Sequence, residues 1–157
     1  METGSLDLCM KSQVDLLFEE YLKIRKIDIE ASQFMYLLNL YPSLLVCMSD
    51  GVLDKEEWDG VLRLADGLAD AYVESPDPED KQKLAQLFRT EFRYLLENID
   101  RWKKKFLNAL KSHLENYGDD KEFVLEAMYL FANVADGISD EEQTIIEELS
   151  ERLSLEY

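Results

Sequence analysis

Two short stretches of this chain place carboxylates at matching points of one pattern. The first runs Leu44-Leu45-Val46-Cys47-Met48-Ser49-Asp50-Gly51-Val52-Leu53-Asp54-Lys55-Glu56-Glu57. The second runs Leu130-Phe131-Ala132-Asn133-Val134-Ala135-Asp136-Gly137-Ile138-Ser139-Asp140-Glu141-Glu142-Gln143. Each passes from an apolar helical run into Asp-Gly, one apolar residue and then an acidic helix start. A turn between helices gathers carboxylates and free carbonyls around one point, which is the chemistry of a hard divalent cation. The candidate ligands are Asp50, Glu56 and Glu57 in the first corner, and Asp136 and Glu142 in the second. Oxygen-only ligation suits calcium, magnesium or manganese better than zinc.

Part of the pattern has a purely structural account. Glycine ends a helix by taking a positive φ, and Asp54 or Asp140 can cap the next helix, completed by Glu57 or Gln143. Acidic residues in a first turn also suit the positive end of the helix dipole. That account requires neither an aspartate before each glycine nor Glu56 and Glu142 at the same offset from it. An EF-hand is excluded. Asp50, Gly51 and Glu57 match its fifth, sixth and twelfth positions, but Val46 and Met48 stand at the first and third, where side-chain oxygens are needed. Ala132 and Val134 fail the same test in the second corner.

The corner resembles that of the tellurite-resistance B-like helical family: an apolar helix, Ala-Asp-Gly or similar, and a capped helix with Glu six or seven residues after the Asp. The matching residues are Ser49-Asp50-Gly51 with Glu56 and Glu57, and Ala135-Asp136-Gly137 with Glu142. Ser49 replaces the usual alanine, and Gln143 stands where a second glutamate is expected. The resemblance implies an all-helical fold with two pseudo-symmetric halves, a divalent-metal site at the acidic corners, and a place in a bacterial stress-response system.

Other chemistry finds little support. His113 is the only histidine, and on its helix it reads as a solvated or partly buried position rather than a base. One histidine without motif context supports neither a Ser-His-Asp nor a Cys-His arrangement. Asp66-Gly67 lacks the lysine and glycine spacing of a phosphate loop. Cys9 and Cys47 are too far apart in sequence for a zinc motif, and Cys47 reads as a small buried hydrophobe. The chain is therefore expected to be non-enzymatic.

Composition frames the same reading. A net charge of −17, from 34 acidic and 17 basic residues, repels nucleic acid and anionic membranes and favours cations or a basic protein surface. Lys103-Lys104-Lys105 beside Trp102 is a small basic patch, read as making internal ion pairs or docking an acidic partner. No apolar run approaches the roughly 20 residues that span a bilayer, and the amino terminus lacks signal-peptide character, so a cytoplasmic location is expected.

The elements that must position the corners are all helical. Apolar residues at helical spacing predict a helix from about Gln13 to Ile24, and another from near Ile29 carrying Phe34, Leu37, Leu38 and Tyr41. Pro42 is expected to open or kink the turn Ser43 to Met48. A third helix is expected from Asp54 to about Tyr72. Glu74-Ser75-Pro76-Asp77-Pro78-Glu79 is the clearest connector. Helices from Asp80 to Asn98, Arg101 to Tyr117, Lys121 to Val134 and Asp140 to Leu155 complete the count, with Gly118 as a left-handed cap.

The sequence thus predicts one all-α domain over 1–157, a bundle of six or seven helices with halves at about 13–73 and 79–155. The functional expectation is divalent-cation binding at the corners within a stress-response or signalling complex. The alternative is an acidic adaptor or inhibitor that binds a basic protein, with structural corners and no specific metal.

Overall fold

From Phe34 to Cys47 the chain contains no charged residue, and a helix without a polar face must be enclosed by other elements. The computed structural model, which describes residues 12–48, 55–72, 78–133 and 138–155, shows how. Among the described residues every regular element is a helix: α1 Gln13–Arg25, α2 Ala31–Cys47, α3 Lys55–Tyr72, α4 Pro78–Glu97, α5 Ile99–Asn116, α6 Asp120–Ala132 and α7 Asp140–Leu153. This is the predicted all-α bundle. Thirteen of the 17 residues of α2 are buried, and α4, α5, α6 and α7 surround it. Buried residues from both sides of the 74–79 connector contribute to one continuous core.

Pro42 does not open the helix. α2 continues through it to Cys47. Breaking the helix there would strand backbone N–H and C=O groups in an enclosed position, away from water. That penalty exceeds the roughly 3 kcal/mol cost of an interior proline.

The remaining boundaries follow local chemistry. Ser12 caps α1 by accepting from the Asp15 N–H at 3.1 Å, and Lys26 closes it in the left-handed region at φ 55°. Pro78 occupies the first position of α4, where its missing N–H costs nothing. α5 begins at Ile99 rather than Arg101, because Asn98 alone makes the corner after α4. The Asn98 side chain donates to Tyr94 O at 2.8 Å, while its own carbonyl accepts from Arg101 N–H at 3.1 Å. Gly118 is not the expected left-handed cap. Tyr117, at φ −129°, ends α5, and a turn closed by Asp120 N–H donating to Tyr117 O leads directly into α6.

One charge is sealed inside this apolar frame. Glu91, on α4 and 1% exposed, accepts from the Tyr21 hydroxyl at 2.6 Å, from Arg25 Nε at 2.8 Å and from Arg25 Nη2 at 2.9 Å. The Arg25 guanidinium lies 3.8 Å from the centre of the Tyr94 ring, and Trp102 Nε1 donates to the Tyr94 hydroxyl at 2.9 Å. Through these contacts the carboxylate ties α1 to α4 and α5.

Removing a buried acceptor strands its donors, so Glu91→Ala is expected to lower stability by about 3–5 kcal/mol in denaturant unfolding. Tyr21→Phe, which keeps the Arg25 pair, should cost only about 1–2 kcal/mol. Burial also pushes the hydroxyls of Tyr21 and Tyr41 well above their ordinary value, Tyr21 further through its bond to Glu91. The unfolded chain then releases these protons first. Stability is present in full below about pH 10 and falls as pH rises above it. Absorbance titration should show these two tyrosines ionising only as the fold is lost.

Candidate functional site

Both acidic corners follow helices that end beside each other. α2 ends at Cys47 and α6 at Ala132, and the two helices pack closely along their lengths. Near the ends, the buried Cys47 thiol donates to the Phe131 carbonyl at 3.9 Å. That carbonyl is in the last turn of α6, so the thiol joins the end of α2 to the end of α6. Cys47 is a small buried residue, as its apolar surroundings in sequence predict, and its thiol adds a polar contact.

The two corner segments themselves, with Asp50, Gly51, Asp54, Asp136 and Gly137, lie outside the described residues. Glu56 and Glu57 lie in the first turn of α3, and their side chains are likewise outside the description. Glu142 is the candidate ligand whose surroundings are defined. Its Oε1 accepts from the Ser139 N–H at 2.9 Å, and its own N–H donates to Ser139 Oγ at 3.1 Å.

This reciprocal pair places the cap of α7 one residue earlier than the sequence suggested, with the helix itself starting at Asp140 as expected. Ser139, extended at φ −75°, is the cap in place of Asp140, and Glu142 completes the box in place of Gln143. The hydroxyl of Ser139 reaches the N–H three residues on, which leaves Asp140 in the first helical position. Gln143 instead donates to Glu147 Oε2 at 3.1 Å along the helix. One oxygen of Glu142 is thereby committed to the backbone, and a cation would be taken by the other. Among the described residues, no three His, Cys, Asp or Glu side chains converge on a point that could hold a metal ion.

The structure also places residues that sequence reasoning set aside or missed. His113 is half-buried, with Nε2 2.7 Å from Asp120 Oδ2 and its ring stacked on Tyr117 at 4.8 Å. It borders a cavity of about 670 Å³ with Asp15, Met35 and Ser112. Within the basic run, Lys105 pairs with Glu20 and so joins α5 to α1, an internal ion pair of the kind expected. Asp66, beside Gly67 inside α3, pairs with Arg89 at 2.8 Å. Glu91 was passed over, although it interrupts the stripe Leu84, Leu87, Phe88, Phe92 and Leu95 at a core-facing position.

The Ser139 box makes a test that separates helix capping from ligation. Ser139→Ala removes the cap and should cost about 1 kcal/mol in thermal or denaturant unfolding, with the helical spectrum otherwise retained. Glu142→Gln, which keeps an oxygen acceptor for the Ser139 N–H, should cost less. Comparison with known protein families, curated proteins and solved structures finds no match for the chain.

Proposed function

We propose that this is a non-enzymatic, cytoplasmic protein of the tellurite-resistance B-like kind. It takes calcium, magnesium or manganese at its acidic corners and works within a stress-response or signalling complex. The observation that supports the reading most is the meeting of α2 and α6 at Cys47 and Phe131. Asp50 is three residues beyond Cys47 and Asp136 five beyond Phe131. Fully extended chain covers roughly 3.5 Å per residue, so the two aspartates are tethered to neighbouring points. Two helix C-termini also bring two negative dipole ends to one place, an arrangement that favours a cation. Carboxylates added there repel one another until a cation neutralises them.

Calorimetric titration of chelator-treated protein tests this. A saturable site for one of the three hard cations is expected, and saturation at about a hundred times Kd should add about 2.7 kcal/mol of stability. Asp50→Ala and Asp136→Ala should each weaken binding about tenfold or more, equivalent to about 1.4 kcal/mol, with helicity unchanged. Ser139→Ala serves as the control that perturbs the corner without removing charge. Unaltered binding in the double aspartate variant, or no saturable binding in the parent, ends the reading.

One observation favours the adaptor alternative. Between α6 and α7 lies a cleft of about 530 Å³ whose lining includes Leu125, Tyr129, Ile146, Glu147 and Glu151. Apolar side chains flanked by acidic ones suit a basic, amphipathic segment of a partner protein. Such a complex would lose its long-range attraction in salt and keep an apolar component, whereas generic acidity would leave nothing bound at moderate salt.

A further inference from the structure

Three of the six arginines, Arg25, Arg89 and Arg93, line a cleft of about 540 Å³ between α1, α3 and α4, together with Trp58, Tyr94 and Glu97. That volume lies in the range of small-molecule sites. Arg89, Arg93 and Glu97 stand at successive four-residue intervals of α4, so they form one ridge along the wall. Two like charges at that spacing repel, and the exposed Arg93 has no ion-pair partner among the described residues.

Each arginine is prepared differently. Arg25 is rigid: buried Glu91 holds Nε and Nη2, and the Tyr94 ring supports the guanidinium plane. Its position needs no ordering when a ligand arrives, and the donors not used by Glu91 remain for a ligand. Arg89 is paired with Asp66, but both side chains are substantially exposed, at 45% and 33%. Exposed pairs of this kind contribute little and exchange readily for another anion. Arg93 supplies a charge with no ion-pair partner among the described residues. Trp58 and Leu62 form the opposite wall from α3. Guanidinium forks bind oxyanions in two-pronged fashion, and an indole beside them offers a face for a flat ring.

We propose that this cleft binds a small organic anion that joins a flat ring to a phosphate or carboxylate, the anion held by Arg89 and Arg93 and the ring set against Trp58. The site is independent of the cation corners. It answers to different residues and to the opposite charge.

Calorimetry and tryptophan fluorescence test it on the intact chain. Trp102 is fully buried, so a fluorescence response to an added ligand reports Trp58. Adenosine 5′-monophosphate and nicotinate probe the phosphate and carboxylate forms, while inorganic phosphate and adenosine each supply one part alone. One saturable site is expected for at least one ring anion, with fluorescence altered, and binding at least about tenfold tighter than for either separate part. Which ring anion binds identifies the anionic group.

Arg89→Ala and Arg93→Ala should each weaken that binding about tenfold without lowering the unfolding temperature, because both side chains are exposed. Trp58→Phe should abolish the fluorescence change while calorimetry still detects the ligand. The proposal fails if neither ring anion binds saturably up to about 10 mM, or if inorganic phosphate binds as tightly as the ring anions. It fails equally if both arginine variants bind unchanged.

Discussion

A helix with no polar face has one stable environment, and supplying it governs the arrangement of everything else here. α2 presents Phe34, Leu37, Leu38, Tyr41, Leu44 and Val46 at 1% exposure or less, on all sides of its axis. Each such side chain contributes roughly 1.5–3 kcal/mol by leaving water. Four other helices are therefore drawn around it, each offering one apolar stripe and keeping its charged face outward. This explains how a chain with so large an acidic excess stays folded. The repulsion is spread over the outer faces, where water and salt screen it, while the centre holds almost no charge. It also explains why Pro42 is tolerated, since enclosure leaves the backbone no alternative partner.

Glu91 is the exception that this frame permits, and its cost sets its design. A buried carboxylate is expensive unless all its acceptor capacity is used. Here a tyrosine hydroxyl and two nitrogens of one arginine use it, and the arginine in turn rests on Tyr94. α1 makes few other commitments to α4, so the network fixes where its C-terminal end sits. A purely apolar contact would hold the two helices together without specifying their relative slide. Directional bonds to a single carboxylate do specify it, and that is what aims Arg25 at the cleft.

The helices were legible because their apolar residues recur at a period set by α-helix geometry, and the described elements lie close to the expected spans except α2, which runs past Pro42 to Cys47. Their ends were less legible, for a local reason. Several residue types compete for one cap. Ser139 and Asp140 are adjacent candidates, and the side chain that reaches the third N–H wins; nothing in the residue types alone says which. Gly118 likewise seemed suited to a left-handed cap, but α6 begins so soon after α5 that a tight turn from Tyr117 makes the connection, while Lys26 and Ser154 take the left-handed positions. Of the candidate site, the sequence yields the repeated Asp-Gly pattern but not that α2 and α6 end together. That juxtaposition depends on packing between segments more than eighty residues apart, which no local period encodes. Glu91 did leave a signal: a charged residue within an apolar stripe must have a partner, and Arg25 and Tyr21 supply it from the far side of the connector.

The two regions singled out carry opposite sign, and the fold gives a reason for keeping them separate. Helix C-termini concentrate negative potential at the α2 and α6 ends, and of the two corner stretches only the first carries a cationic side chain, Lys55, against an excess of carboxylates. Arg25, Arg89 and Arg93 occur instead on α1 and α4, held in place by Glu91 and by the ridge spacing of α4. A net charge of −17 repels anions at long range, so an anion reaching this cleft gains little from steering and must be retained by short, directional contacts. That is the kind of contact that guanidinium forks beside an aromatic ring provide. Conversely, the same excess draws cations toward the surface at large, and only a place where carboxylates are held together against their own repulsion would bind one in fixed proportion. Selectivity at each region therefore comes from local geometry working within, or against, one common field.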